Sequence, residues 1–561
     1  MSIKKVLIGI AWTYANSDIH LGHVCAYMPG DVLARYHRAV GNDVLMVSGT
    51  DCHGTPTTER AIRENKTPQE IVNRYHEQYV EVFKKMGMSY DCYTMTATPY
   101  HAEKVQEMIL KLKENGFIYP KTEPASFCPK CNKFVYDREV EVICPKCGTV
   151  SKGDQCGNCD YVFQAQDLLK GKCRICGSQT EVRDNTNLYF ALSKFEEPLR
   201  EHFNTAKQYW RKNAVNETEK FLNEGLLDRA VTRDLNWGIK VPLEGYDDKR
   251  IYVWIEAVWG YVTATQKYCE EHNLDWRDWW FKSNDRENLI YMCHGKDNIV
   301  FHTIIFPALL MATKDPYLMP EHCVSSEFLN INSEKISKSK GNGWPMLAML
   351  EKFDADSLRY FCISNGPEKR DSNFTFADYH AVHNGEIVNK FGNFVNRTLN
   401  FKGLEGELPN GTMNSEIATK ISETYEKCGQ EILSNNFKDS LATVMSLVDV
   451  GNKYYDEQEP WKLFKEDKQK FNDVIYTCVQ VIANLGNLLD PFMPFASKKI
   501  RDTWAWLMPI SLATSIWVLP LKNLSESIFF SLSLRFFNGS LKEISSSQLL
   551  SELLLLSISI T

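Results

Sequence analysis

The sequence predicts an α/β protein with a doubly wound parallel sheet, split by a cysteine-rich insert and followed by an all-α helix bundle. Three observations predict this fold. Short apolar runs alternate with a helical pattern near the N-terminus. Four Cys-x-x-Cys pairs lie within residues 128–176, and long amphipathic stretches without strand signals follow residue 378. A chain of 561 residues is too long for one hydrophobic core, so two to four domains are expected.

The opening of the sheet is predicted from the first fifty-five residues. KKVLIGIAW reads as a buried strand, a helical pattern runs from about Leu21 to Val40, and GNDVLMVSGTDCHGTP reads as a second strand ending in a turn. Ligands of such sheets bind beyond the carboxyl ends of the strands. The loops Tyr14–His23 and Gly49–Thr55 are therefore the first places to look for a site.

Strand-like patterns return after the insert with IYVWIEAVWGYV and NLIYMCHGKDNIVFH. From about Asp378 to Trp504 the pattern is helical, which predicts a separate bundle. Residues 505–561 differ in composition, with thirteen Ser, fourteen Leu and only six charged residues. This tail is left unassigned, either as a scrambled end or as a peripheral segment.

Composition limits the possible partners and location. The net charge of −7 and a pI of about 6.1 exclude a protein that coats DNA, so any contact with nucleic acid must be local. The N-terminus turns polar after a short apolar run, and no long apolar window exists, so neither a signal peptide nor a membrane span is expected. An odd total of 17 cysteines without an export signal favours the reducing cytoplasm.

The insert is predicted to bind two zinc ions. Two thiolates three positions apart can face one tetrahedral ion, and two such pairs complete a shell of four sulfurs. A nested pairing closes two loops without crossing, although the pairing itself stays open. Because every cysteine closes a shell, the zinc is expected to be structural. The alternative is redox-active or unligated thiols. The candidate ligands are Cys128, Cys131, Cys144, Cys147, Cys156, Cys159, Cys173 and Cys176.

Two loops carry candidate phosphate-binding groups. IHLGH places His20 and His23 at a helix N-terminus, where free N–H groups favour anions, and Gly22 permits close approach. KISKSKG supplies Lys335 and Lys338, whose charges suit a departing pyrophosphate. Each loop alone is weak, since histidines often lie at a surface or in a core and lysine loops are usually solvated.

Together, the two loops resemble the class I aminoacyl-tRNA synthetases, since H-x-G-H is followed more than 300 residues later by K-x-S-K-S. Further segments resemble the methionyl family in order: AWTYANSDIHLGH, GTDCHGTP, the cysteine insert, TRDLNWGIKVP, VWIEA, GKDNIVFH and DEQEPW. The resemblance covers roughly residues 4–504. It implies ATP-dependent activation of L-methionine, release of pyrophosphate, and transfer to the 3′ adenosine of tRNA(Met), including the initiator.

The resemblance also implies residue roles. Catalytic roles fall to His20, His23, Lys335 and Lys338, with Lys338 the main ATP-contacting lysine. ATP is bound by Tyr14, His20, Gly22, His23, Gly295, Lys296, Asp297 and Lys338, with Mg²⁺ on the phosphates. Methionine is bound by Trp12, Tyr14, Asp51, Trp254, Ala257, Tyr261 and His302, where Asp51 pairs with the ammonium and aromatic rings suit the thioether. Anticodon contacts are implied for Asn389, Arg397 and Trp461.

Three departures from the family pattern concern the pocket's shape. Trp12-Thr13 stands where many members have Leu-Pro, Val258 stands where Pro is frequent, and Asn298 replaces a branched aliphatic residue. Without the order of the motifs, Asp51 would read as a turn aspartate and VWIEAVWGY as an aromatic core strand. By the same resemblance, the zinc insert lies near the acceptor end of tRNA.

The predicted domains follow from these motifs: the first half of the Rossmann-like catalytic domain (1–115), the zinc-knuckle insert (116–228), the second catalytic half (229–325), the K-x-S-K-S loop and stem-contact region (326–380), the helical anticodon-binding domain (381–504) and the tail (505–561).

Three other functions remain open from sequence alone. Another class I synthetase would be revealed by the amino acid that supports pyrophosphate exchange. A nucleotidyltransferase with H-x-G-H would usually be shorter and lack the bundle. A non-catalytic zinc-ribbon protein that binds nucleic acid would not need Lys338.

Overall fold

The computed structural model describes residues 3–507 apart from 136–138, 154–155, 157, 160, 162, 164, 170, 284–286, 337–342, 403 and 405–408. The chain forms two compact units that alternate along the sequence. The first unit contains the chain up to Ile19, Asp43–Phe83 and Tyr90–Ser326. The second contains His20–Asn42, Lys84–Ser89 and the chain from Glu327 onward. The domain boundaries expected from sequence stay predictions.

A parallel sheet organises the first unit. Its strands are β1 (Lys5–Ile10), β2 (Thr13–Tyr14), β3 (Asp43–Asp51), β4 (Cys92–Met95), β14 (Asn288–Gly295) and β15 (His322–Ser326). Their order is β15–β14–β1–β3, and both β2 and β4 pair with β3. Strands β1 and β3 are buried on both faces, which explains their near-continuous apolar sequences. The predicted doubly wound parallel sheet is confirmed.

One sequence expectation is wrong. IYVWIEAVWGYV was expected to be strand-like, but helix α7 spans Val253–Glu271. Its residues are buried almost without interruption from Val253 to Thr265, so the helix has no polar face and shows no helical period. Length decides between the two readings, because 19 residues exceed a typical strand.

The segment NLIYMCHGKDNIVFH is a strand only in its first part. Strand β14 ends at Gly295, and Lys296–Asn298 form a 3₁₀ turn. Phe301–Ile305 then adopt a π-helical turn. The change of structure places Gly295 at the carboxyl end of the strand, where a parallel sheet binds its ligands.

The insert is a long antiparallel ribbon that carries a small sheet. Strands β5 (Ile118–Cys128) and β10 (Glu181–Phe190) pair along their length, from Ile118 opposite Phe190 to Phe127 opposite Glu181. The remaining strands of this region are β6 (Lys133–Phe134), β7 (Val140–Ile143), β8 (Val150–Lys152), β9 (Lys172–Cys173) and β11 (Arg229–Ala230). Buried cysteines make up much of the small core between β7 and the ribbon.

Helices and two short strands complete the first unit. They are α2 (Thr55–Glu64), α3 (Pro68–Lys85), α4 (Pro99–Glu114), α5 (Glu196–Ala206), α6 (Lys212–Glu224), β12 (Thr232–Arg233), β13 (Arg250–Ile251), α8 (Arg277–Trp280) and α9 (Phe306–Ala312). Of these, α3 ends inside the short segment assigned to the second unit. Helices α4 and α7 contribute side chains to one apolar core with strands β1 and β3.

The second unit is mainly helical. It comprises α1 (Leu21–Ala39), β16 (Leu329–Ile331), β17 (Glu334–Lys335), α10 (Met346–Leu350), α11 (Ala355–Ser364), β18 (Ser372–Phe374), α12 (Phe376–Val382), α13 (Asn393–Leu399), α14 (Ser415–Leu433), α15 (Phe437–Gln458), α16 (Pro460–Glu466), α17 (Lys468–Leu488) and α18 (Pro494–Leu507). Within residues 376–507 the described chain holds no strand, so the predicted helical region is confirmed. Among the helices described, none is long and apolar enough to cross a membrane.

Candidate active site

Asp51 marks the carboxyl edge of the sheet in the first unit. It is the last residue of β3, its side chain is buried, and its Oδ1 has no hydrogen-bond partner among the described residues. Burial raises the pKa of this carboxyl well above its ordinary value, and the charge of Glu256 adds to the rise. The carboxylate accepts a backbone hydrogen bond from His53, but a buried carboxylate oxygen without a partner is costly, so this position suits a cationic ligand.

An aromatic wall belongs to the same unit. The Trp12 ring lies 6.4 Å from that of Tyr261, edge to face, and Trp254 stacks on Phe301 at 4.1 Å. Ala257 is buried one helical turn after Val253 on α7. The ring of Trp12 fits where two glycines have no side chain, since a Cβ on Gly49 or Gly260 would lie 2.1 or 2.4 Å from it. Such a wall suits an apolar or thioether side chain.

His302 and Tyr261 form a hydrogen-bonded pair in this wall. The histidine Nδ1 lies 2.8 Å from the carbonyl of Asn298, and Nε2 lies 2.7 Å from the Tyr261 hydroxyl. Burial lowers the pKa of His302 to about 4, so the ring is neutral near pH 7. A neutral ring that donates from Nδ1 must accept at Nε2, and Tyr261 is therefore the donor of this pair.

Gly295, Lys296 and Asp297 lie where β14 ends. Because β3 and β14 both run parallel to β1, their carboxyl ends meet at the same edge of the sheet. The Asp297 carboxylate folds back over Gly295, and a Cβ on that glycine would lie 2.7 Å from Oδ1. The three residues therefore lie at the edge where a parallel sheet binds its ligands, and their contact with a nucleotide stays a prediction.

The two histidines of H-x-G-H lie together in the second unit. His20 precedes the first turn of α1, and its ring stacks on that of His23 at 3.8 Å. The backbone N–H of His20 donates to His23 Nδ1 at 3.2 Å, so a neutral His23 ring carries its proton on Nε2. Gly22 lies against them, since its Cβ would be 3.1 Å from the His20 ring.

Both ends of the K-x-S-K-S loop lie near the H-x-G-H motif within the second unit: Ile336 near Gly22, and Gly343 near His20. A Cβ on Gly22 would lie 3.2 Å from Ile336 Cδ1, and one on Gly343 would lie 2.9 Å from Ile336 Cγ2 and 3.6 Å from the His20 ring. Lys335 is exposed at the end of β17, with Nζ 4.8 Å from the centroid of the Phe328 ring. Lys338 lies outside the described residues.

The eight insert cysteines form two groups of four. Cys128, Cys131, Cys173 and Cys176 form one, and Cys144, Cys147, Cys156 and Cys159 form the other, with the sulfurs of each group within 4.8 Å of one another. The Cys128–Cys176 and Cys147–Cys156 sulfurs are 3.4 and 3.5 Å apart. Tetrahedral zinc with bonds of about 2.3 Å would place its sulfurs about 3.8 Å apart. Each group can therefore hold a metal ion, in the nested arrangement.

Candidate anticodon contacts lie on the helices of the second unit. Trp461 of α16 is 45% exposed, and its ring lies 6.2 Å from that of Tyr455. Arg397 stacks over the Tyr455 ring and donates to Asp456 at 2.6 Å. Asn389 is exposed on the π-helical segment 383–392. An exposed tryptophan beside a buried tyrosine is a surface on which a base can stack.

Four side chains near Asp51 were not singled out from the sequence. They are His53, His101, Trp237 and Glu256. The available signals were a histidine in GTDCHG and a glutamate within the apolar run VWIEA, but the contact between His53 and Glu256 spans 203 residues.

A family model described as tRNA synthetases class I (M) matches residues 6–399, and one described as the anticodon binding domain of methionyl tRNA ligase matches residues 406–517. The chain belongs to the class I methionine–tRNA ligases. Methionine–tRNA ligase of Bacillus cereus (strain 03BB102) is 45% identical over 503 residues, which are 89% of this chain and 92% of the relative. Methionine–tRNA ligase 1 of Alkaliphilus oremlandii (strain OhILAs) is 45% identical over 502 residues, again 89% and 92%.

The fold of this ligase agrees with a solved structure. Mycobacterium tuberculosis methionyl-tRNA synthetase in complex with methionyl-adenylate superposes with a TM-score of 0.74 at 23% identity, covering 90% of this chain and 96% of that one. At this identity the match concerns the fold. The resemblance drawn from the sequence motifs is confirmed at the level of the family.

Proposed function

We propose that the chain activates L-methionine with ATP to methionyl-adenylate and transfers the methionyl group to the 3′ adenosine of tRNA(Met), including the initiator. The observation that carries this is Asp51, a buried carboxylate with no partner for Oδ1 in the described structure, in a unit that also holds an aromatic wall. An α-amino acid with an apolar side chain supplies the ammonium and the apolar group that such a site lacks. Its carboxylate is left to react.

The amino acid is held by residues of the first unit. Asp51 meets the ammonium, and Trp12, Tyr14, Trp254, Ala257, Tyr261 and His302 enclose the thioether chain. Because His302 is neutral and accepts from Tyr261, the wall presents no charge to the sulfur. Polarizable sulfur against aromatic edges is favourable by about 0.3–1.5 kcal/mol per contact.

Adenylate formation needs no nucleophilic side chain. The methionine carboxylate attacks the α-phosphorus, the P–O bond to pyrophosphate breaks, and the electron pair leaves with that group. His20 and His23 donate to phosphate oxygens at the first turn of α1, with Gly22 allowing their approach. Lys338 and Lys335 neutralise the departing charge, and Tyr14, Gly295, Lys296 and Asp297 hold the nucleoside. Mg²⁺, when bound to ATP, would screen the phosphate charge.

Separate parts of the chain bind zinc and tRNA. We assign two structural zinc ions to the two cysteine groups, where all four positions of each shell are protein sulfurs. Asn389, Arg397 and Trp461 are assigned to the anticodon, with Trp461 stacking on an unpaired base. The odd total of 17 cysteines supports a cytoplasmic enzyme.

Pyrophosphate exchange with each of the twenty amino acids tests the activation step. Methionine alone is expected to support exchange; exchange that depends on another amino acid, or none at all, would overturn the proposal. His23→Ala should slow exchange strongly at an unchanged methionine KM. Lys338→Ala should slow it more than Lys335→Ala, while Lys352→Ala, at an exposed lysine of the second unit, serves as control.

A further inference from the structure

Glu256 and two histidines form a buried cluster in the first unit. Glu256 of α7 is fully buried, with Oε1 2.6 Å from His53 Nδ1 and Oε2 3.4 Å from His101 Nε2. His101 lies on α4, and its other nitrogen is 2.8 Å from the Thr263 hydroxyl. Both imidazoles face one carboxylate that water does not reach: His53 lies at hydrogen-bond distance from Oε1, whereas His101 lies at ion-pair distance from Oε2 without a hydrogen bond.

This cluster connects to Asp51 through two residues of backbone. The Tyr14 hydroxyl donates to the carbonyl of His53, and Trp237 Nε1 donates to the carbonyl of Cys52 at 2.8 Å. The His53 ring also meets the Trp237 ring edge to face at 5.2 Å. Cys52 and His53, which follow Asp51, are thus held by hydrogen bonds to their backbone carbonyls and by the contacts of the His53 imidazole.

We propose that His53 and Glu256 are positioning residues that fix the turn after β3, so that the Asp51 carboxylate meets the methionine ammonium in one orientation. This inference rests on the proposed function, because it assigns to Asp51 the amino group of the substrate. The bond between His53 and Glu256 joins the turn to α7, and α7 also carries Trp254, Ala257 and Tyr261. One helix therefore sets the position of both the ammonium receptor and the thioether wall.

Because Glu256 is charged, removing its charge should change the pH dependence of methionine binding, which a role in packing alone would not do. The titratable groups around Asp51 are Tyr14, Cys52, His53 and Glu256. Burial raises the pKa of Tyr14 and Cys52, so both stay neutral near pH 7. Although burial opposes it, the two histidines hold the pKa of Glu256 below its ordinary value, and this carboxylate stays ionised. Its charge disfavours a second negative charge on Asp51.

The orientation is tested at His53 by steady-state pyrophosphate exchange with the full-length enzyme. His53→Ala removes the link to Glu256, and His53→Asn keeps a donor near the position of Nδ1. We expect His53→Ala to raise the methionine KM about tenfold, the loss of one charge-assisted hydrogen bond, with the ATP KM changed less than about twofold. His53→Asn should recover most of the loss. His322→Asn, at a buried histidine stacked on Tyr291 in the same sheet, should leave both constants unchanged.

Glu256→Gln tests the charge independently of packing. Methionine binds ionised Asp51, so the methionine KM of the parent enzyme should rise as pH falls through the raised pKa of Asp51. Removing the Glu256 charge should move this rise to lower pH. An unchanged methionine KM in His53→Ala together with an identical pH profile in Glu256→Gln would overturn the inference. If His53→Ala does not fold, His53→Asn and the pH profile decide it. A parent enzyme without methionine-dependent exchange would instead refute the proposed function.

Discussion

Arg359 and Asp31 form an ion pair in the second unit in which both side chains are completely buried, with Nη2 2.6 Å from Oδ2. The guanidinium also donates to backbone carbonyls of Met86, Pro491 and Phe492, and to the sulfur of Met88. Asp31 lies on α1 and Arg359 on α11, so one pair of charges joins four separate segments of this unit. Helix α1 begins directly after His20, and its position thus depends on a residue more than 300 positions away.

Asp31→Asn should therefore destabilise the protein strongly. Although burial opposes it, the guanidinium groups of Arg359 and Arg35 hold the pKa of Asp31 well below its ordinary value of 3.8. Leaving Arg359 buried without a counter-charge costs about 3–5 kcal/mol. Thermal melts at pH 7 should show a lower Tm for Asp31→Asn. Asp43→Asn, which breaks the half-exposed pair with Lys5, should change it little.

The same pair predicts a pH dependence. Since the pKa of Asp31 is lower in the folded state, its stabilisation is complete above the ordinary carboxyl pKa and is lost as pH falls through the folded value. The Tm difference between the parent chain and Asp31→Asn should shrink in strong acid. A difference that stays constant down to acid unfolding would contradict the charge assignment.

Gly54 predicts a local effect on methionine activation. It has a φ of +100°, and a Cβ there would lie 2.6 Å from the Tyr14 hydroxyl. Gly54→Ala should therefore displace Tyr14. A displacement of about 1 Å should lower kcat/KM for methionine about 100-fold. Gly225→Ala is the matched control, because Gly225 has a φ of +82° and no described atom lies within 4 Å of the added Cβ. Equal losses of activity in both variants would assign the effect to backbone strain alone.

Much of the fold could be predicted from the sequence where the signal is local. The strands β1 and β3 are short apolar runs bounded by polar turns, and the Cys-x-x-Cys spacing identifies the eight candidate ligands. Which pairs group together is seen only in the structure. Helix α7 could not be predicted, because burial on all sides removes the periodicity that distinguishes a helix from a strand.

The candidate site likewise contains residues that could be predicted from the sequence and residues that could not. The order of the motifs singles out Asp51, His20 and His23 as candidates, whereas the bond between His53 and Glu256 joins residues 203 positions apart and leaves no pattern in a single sequence. Pairing over such distances depends on the packing of α7 against β3, which is a property of the assembled core.

The two cysteine groups predict a defined metal content. Native mass spectrometry of the purified chain should find two zinc ions, because each group offers four sulfurs within 4.8 Å. Cys144→Ala should retain one ion, since the group formed by Cys128, Cys131, Cys173 and Cys176 is intact. Cys269→Ala, at a buried cysteine of α7 outside both groups, should retain two. A folded chain without metal would contradict the structural role.

Trp461 predicts a separation between activation and charging. Its ring is 45% exposed on α16, while pyrophosphate exchange needs no tRNA. Trp461→Ala should lower the rate of tRNA aminoacylation by removing a stacking contact worth about 1–3 kcal/mol, a tenfold to hundredfold loss in kcat/KM for tRNA. Exchange should be unchanged, and Trp461→Phe should recover part of the charging activity because it keeps an aromatic face. If exchange falls as far as charging does, Trp461 supports the fold and does not bind the anticodon.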